Sequence, residues 1–128
     1  MLQSSMTCLE GSNVLVVEDE LFIAYDIAFS VEEAGGQVAG PFATLARARA
    51  ALSDGSMNVD GAILDMNLLD GSAEALIVEL WKREVPLVVN TAEPLPLALQ
   101  SIMPEIPVFS KPTNPWELAE ALGRQMRN

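Results

Sequence analysis

Histidine is absent from all 128 residues, and cysteine occurs once, as Cys8. Without histidine there is no His-based catalytic triad, no imidazole metal site and no phosphohistidine carrier. A lone cysteine excludes an internal disulfide and a cysteine-built zinc framework, and it fits a reducing compartment. Basic residues are scarce too: seven Lys and Arg stand against eighteen Asp and Glu, a net charge of -11. Such a surface repels phosphate backbones, so no nucleic-acid partner is expected. The basic residues form scattered pairs (Arg47 with Arg49, Lys82 with Arg83, Arg124 with Arg127) rather than one patch. Residues 1–12 lack the basic start and apolar run of a secretory leader. No apolar stretch reaches the roughly 20 residues that cross a membrane. The expectation is a cytoplasmic protein with no membrane partner.

What is present is a globular composition, 50% hydrophobic and 20% charged, in a length that suits one domain with one core. Residues 1–12 are aperiodic and read as a loose tail, with the domain spanning 13–128. From Asn13 onward, short apolar runs alternate with helical spacing. Val14-Leu15-Val16-Val17 suits a strand buried on both faces, and Ile23, Ile27 and Val31 then repeat at the helical interval up to Gly35-Gly36. Gln37 to Ala43 reads as a second strand, near an edge because of Pro41. Thr44 is a fitting cap for a helix over Leu45 to Leu52. Val59 to Leu64 is a third strand ending at Asp65. Asp70-Gly71 marks a turn, and Ser72 is placed to cap a helix from Ala73 to Arg83. Pro86 to Asn90 and Pro107 to Ser110 are the last strands, separated by room for only a short helix between Pro96 and Pro104. Asn114-Pro115 is a strong start for a final helix through Met126.

Five alternations of strand and helix imply an α/β fold: a parallel sheet with helices on both faces, whose ligands bind beyond the carboxyl ends of the strands. Those ends are polar. Strand one exits into Glu18-Asp19-Glu20, strand three into Asp65 with Asn67 two residues on, strand four into Thr91-Ala92-Glu93, and strand five into Ser110-Lys111-Pro112. If these strands are neighbours, Glu18, Asp19 and Asp65 converge with a hydroxyl and one ammonium. Two carboxylates about 4 Å apart repel by roughly 4 kcal/mol at an effective dielectric of 20. A cluster of three therefore calls for a cation. Oxygen ligands without His or Cys favour a hard ion, Mg2+ or Mn2+. A carboxylate left at the rim is then an oxygen nucleophile for phosphorus, with the cation and Lys111 neutralising the transferred group.

In order and in register, Val14-Leu-Val-Val-Glu-Asp-Glu20, Ile63-Leu-Asp-Met-Asn67, Val89-Asn-Thr-Ala92 and Lys111-Pro112 resemble the signature set of response-regulator receiver domains. The likeness covers Asn13 to about Arg127. It implies a flavodoxin-like (βα)5 fold with strand order 2-1-3-4-5. It further implies that Asp65 accepts the phosphoryl group, Thr91 reorients onto it and Lys111 ion-pairs with it. Asp19 and Asp65 are implied as direct metal ligands, Asn67 as a ligand through its carbonyl, and Glu18 as one acting through a coordinated water. The implied donor is a histidine kinase or a histidine phosphotransfer protein. The implied output is control of a downstream protein target, or service as a phosphate shuttle or sink in a phosphorelay. Such a stand-alone domain, a monomer or weak dimer, catalyses only its own phosphorylation and dephosphorylation.

Taken singly these residues are ordinary. Asp19 suits the first turn of a helix, Asp65 a loop, and Lys111-Pro112 a strand exit. Their joint placement carries the reading. Two positions depart from the resemblance: Val108 stands where many receivers carry an aromatic residue, and Thr113 stands at another often aromatic position. Phe109 is predicted to face away from Val108. The competing classes are a receiver-fold interaction module that works without phosphorylation, an Asp-metal phosphatase and a flavin carrier. The phosphatase lacks its general acid, because Asn67 stands where an Asp is needed. The flavin carrier lacks a phosphate-cradling loop after strand one, where acids stand instead.

Overall fold

In the computed structural model, which describes residues 7–55 and 57–127, five parallel strands form the central sheet. They are β1 (Asn13–Val17), β2 (Gln37–Phe42), β3 (Gly61–Asp65), β4 (Leu87–Thr91) and β5 (Val108–Ser110), in the order β2-β1-β3-β4-β5. Five helices alternate with them: α1 (Leu21–Glu33), α2 (Leu45–Ser53), α3 (Glu74–Lys82), α4 (Leu97–Ile102) and α5 (Pro115–Met126). The expected flavodoxin-like order 2-1-3-4-5 is thus the observed one.

Strand alternation divides the core. Val14, Val16, Ile63 and Val88 pack with Ile27 and Val31 of α1 and with Leu118, Ala119 and Leu122 of α5. Their neighbours Leu15, Val17, Leu64 and Val89 pack on the other face, against Ala48 of α2, Leu76, Ile77 and Leu80 of α3, and Leu99 of α4. Burial on both faces explains the unbroken apolar runs of β1 and β3. β2 lies at the edge, as Pro41 implied. Its Gly40, with φ +107, lets the edge strand lie close to β1: a Cβ there would stand 2.9 Å from the Val16 carbonyl oxygen.

The caps follow the sequence closely. Thr44 Oγ1 accepts the Arg47 N–H and Asn114 Oδ1 accepts the Trp116 N–H. The exception is Ser72: the N-cap of α3 is Ala73, and Ser72, one residue before it, accepts the Glu74 N–H with its Oγ. α3 is a residue shorter at each end than expected, with Ala73 and Arg83 flanking it.

The loose-tail expectation fails for residues 7–12, while residues 1–6 lie outside the described ones. The Leu9 side chain is fully buried in the α1/α5 cluster, and the Leu9 N–H donates to the Ala34 carbonyl. Cys8 rests on α5, its Sγ 3.7 Å from the Ala119 carbonyl oxygen. Gly123 permits this approach, since a Cβ on it would come within 2.8 Å of Cys8 Cβ. One apolar residue without period leaves no trace in a pattern search, yet it suffices to dock a turn.

Candidate functional site

The acidic site forms because three loops leave the same edge of the sheet. β1 ends at Val17, and Glu18 continues its alternation on the α1/α5 face; Asp65, two residues beyond buried Ile63, reaches the same face. Glu18, Asp19 and Asp65 each place a carboxylate oxygen within 4.8 Å of the others. Glu18 and Asp65 are buried and Asp19 half-buried. Lys111 reaches in from the turn after β5. Its Nζ lies 2.9 Å from Asp65 Oδ2, 3.2 Å from Glu18 Oε2 and 3.6 Å from Glu20 Oε2. The Glu20 N–H donates to Glu18 Oε2, and the Asn67 N–H donates to Asp65 Oδ1.

Glu18 Oε1 is the exception. Nζ lies 3.1 Å from it, but off the direction of a hydrogen bond, so this buried oxygen has no hydrogen-bond donor. Burial raises the Glu18 carboxyl from 4.5 to about 7; the Glu20 N–H opposes that rise, the charge of Asp65 adds to it, and Lys111 opposes it. Burial also pulls on the Lys111 ammonium, downward, but its hydrogen bonds to Asp65 and Glu18 outweigh this and hold it above its ordinary 10.5. An undonated buried oxygen among three carboxylates, with neither imidazole nor thiolate nearby, fits a hard divalent cation.

Beside the acids opens a cavity of about 520 Å³, lined by Asp19, Glu20, Asp65, Asn67, Leu69, Ala92, Glu93 and Lys111. The sequence-derived residues Asp19, Asp65, Asn67 and Lys111 all line it, and Glu18 lies buried behind them. Thr91 does not line it: the side chain is 1% exposed, and its hydroxyl accepts the Glu93 N–H. The Thr91 carbonyl accepts the Lys111 N–H, which joins the exits of β4 and β5.

Sequence reasoning gave Glu20 no role, although it lines the cavity and faces Lys111; the only signal was its place in a run of three acids. Val108 and Phe109 do face opposite ways. Phe109 packs against the α1/α5 cluster, whereas Val108 is partly exposed beside Leu95, Met103 and Ile106. Neither puts an aromatic ring on the Thr91 face of β5. On α3, Leu76 and Leu80 are core while Trp81 is 40% exposed; on α5, Trp116 packs partly buried against the α1/α5 cluster.

The loop after β3 is pinned at its far end. Asp70 accepts the Leu45 and Ala46 N–H groups at the start of α2, 2.8 and 3.1 Å away. These bonds hold its carboxyl below the usual range. Asn67–Leu68 and Gly71–Ser72 form a two-rung antiparallel hairpin in the same loop.

No protein-family model and no curated protein matches the sequence. Solved structures do match. A response regulator receiver protein from Sinorhizobium medicae WSM419 is 21% identical, with a TM-score of 0.76, over 93% of this chain and 97% of that one. The receiver domain of the PhyR response regulator of Erythrobacter litoralis is 25% identical, with a TM-score of 0.73, over 92% of both chains. PhyR from Brucella abortus is 28% identical, with a TM-score of 0.71, over 96% of this chain and 51% of that one; this chain spans about half its length. No helix among the described residues is long and apolar enough to cross a membrane. Over nearly its whole described length, the chain has the fold of response-regulator receiver domains.

Proposed function

We infer that the chain accepts a phosphoryl group on Asp65 from the phosphohistidine of a histidine kinase or histidine phosphotransfer protein. The observation that carries this is the Lys111–Asp65 ion pair at 2.9 Å, set at the wall of an open cavity and backed by two further acids. A carboxylate oxygen of Asp65 attacks phosphorus, the P–N bond breaks, and the histidine nitrogen leaves with the electron pair. Lys111 exchanges its contact with the Asp65 carboxylate for one with a phosphoryl oxygen. Thr91 releases the Glu93 N–H and turns its hydroxyl toward the same group. Asp19, Asp65 and the Asn67 carbonyl would hold Mg2+ or Mn2+, with Glu18 acting through a bound water. The ion would spread positive charge over the phosphoryl oxygens.

The donor must be external, because the chain has no histidine. Phe22, Tyr25 and Phe29 stand exposed on α1, which starts directly after Glu20, and an apolar face of this kind beside the site suits a protein donor. The chain would catalyse only its own phosphorylation and dephosphorylation, in the cytoplasm, and signal through a downstream protein or serve as a phosphate shuttle. The alternative is an interaction module that works without phosphate; the buried Glu18 oxygen without a donor favours the metal-dependent reading. The test is incubation with acetyl phosphate and magnesium, read by intact mass. One added phosphoryl group, lost with EDTA and in Asp65→Ala, supports the proposal. Folded protein that takes no phosphate and binds no magnesium overturns it in favour of the interaction module.

A further inference from the structure

The row that holds Asp65 continues sideways across the sheet. Asp65 pairs with Asn90 of β4, and Asn90 with Phe109 of β5. Two residues before Asn90 on the same face is Val88, fully buried, so strand periodicity calls for another apolar residue at 90. An amide stands there instead, only 2% exposed. Such a group is costly to bury unless hydrogen-bonded.

Its partner is Thr113. Thr113 Oγ1 lies 2.9 Å from Asn90 Oδ1 and 2.8 Å from the Ser110 carbonyl oxygen. A hydroxyl has one proton and serves one acceptor at a time. With the amide rotated by 180°, Asn90 Nδ2 takes the place of Oδ1 and donates to Thr113 Oγ1 while Thr113 donates to Ser110, and both contacts are satisfied. In either orientation Thr113 ties β4 to the turn that leaves β5. Lys111 sits inside that turn. The bond from its own N–H to the Thr91 carbonyl fixes the near end of the turn, and Thr113 fixes the far end.

We propose that Asn90 and Thr113 are positioning residues for Lys111, their hydrogen bond clamping the turn at Ser110–Thr113 onto β4 so that the lysine ammonium is held over Asp65. The effect on rate rests on the phosphoryl-transfer reading; the effect on the lysine does not. A long flexible side chain reaches one geometry reliably only when its backbone is fixed.

Thr113→Val keeps the shape and removes the hydroxyl, and Thr113→Ser keeps the hydroxyl. Thr113 is half-buried, and should the valine variant fail to fold, Thr113→Ala replaces it in both measurements. The first measurement is the side-chain Nζ–H resonance of Lys111 in the metal-free protein, visible while the ammonium is held by carboxylates. It is expected in wild type and Thr113→Ser and broadened away in Thr113→Val. The second is the rate of phosphorylation by acetyl phosphate at saturating magnesium, with magnesium affinity measured separately. The valine variant is expected to slow by about five-fold, the usual effect of one lost neutral hydrogen bond, at unchanged magnesium affinity, with serine restoring the rate. Unchanged resonance and rate in Thr113→Val, or equal losses in the serine variant, would overturn the proposal. A wild type that takes no phosphate would sink the phosphoryl-transfer reading alone, and the Nζ–H resonance would still decide the role of the pair.

Discussion

Lys111 and Asp65 are 46 residues apart in the chain and 2.9 Å apart in space, ammonium against carboxylate. The same ammonium touches Glu18, so one cation restrains two buried acids. Truncating it by Lys111→Ala leaves both acids without a counter-charge in a partly dry site. The expected loss is about 1–3 kcal/mol in metal-free buffer, below the full cost of orphaning a deeply buried charge because the cavity is open. Saturating magnesium is expected to narrow the gap, since it supplies the acids with another cation. Urea unfolding with and without magnesium checks this. An equal gap in both would mean that the acids do not act as one charged cluster.

Asp70 links the loop after β3 to the start of α2, and its folded value is depressed by two N–H donors. A depressed carboxyl contributes stability above its unfolded value, near 3.8, and loses it as pH falls through the lower folded value. Asp70→Asn is therefore expected to be less stable than wild type near neutral pH, with the two converging as pH falls below 3.8 and through the lower folded value. Urea midpoints across that range test this; a difference that does not depend on pH would show that the carboxylate charge is irrelevant to the cap.

Leu9 is fully buried although the twelve residues before β1 carry no pattern. Leu9→Ala is expected to cost about 2–5 kcal/mol, as for other core leucines. Thermal or urea unfolding measures this directly. A loss under about 0.5 kcal/mol, the range of exposed positions, would mean that the docked turn contributes nothing to the fold.

The cavity wall bears on how long a phosphoryl group would last. Asn67 and Glu93 flank the opening and Ala92 is small, which leaves room for an attacking water. On the proposed function, self-dephosphorylation is expected to be relatively quick, and Asn67→Arg is expected to slow it by covering the opening. Loss of phosphoprotein mass over time measures the rate. A group that persists for many hours, unaffected by Asn67→Arg, would contradict this.

Much of this protein was legible in the residues themselves. The apolar runs of β1, β3 and β4 are unbroken because they are buried on both faces, and the caps Thr44 and Asn114 act within a few residues of where they stand. Strand ends are the first polar residues after such runs, so Glu18, Asp19, Asp65 and Lys111 could be placed at one edge before any distance was known. These are local properties: period, propensity and capping chemistry act over a turn or a strand. Which side chains touch is decided only by packing between distant segments. The docking of Leu9 under α1 and α5, the Asp70 bridge to α2 and the Asn90–Thr113 bond each join residues whose contact no local pattern encodes. Register across the sheet sets those contacts, because a shift of one residue would turn each strand side chain to the opposite face.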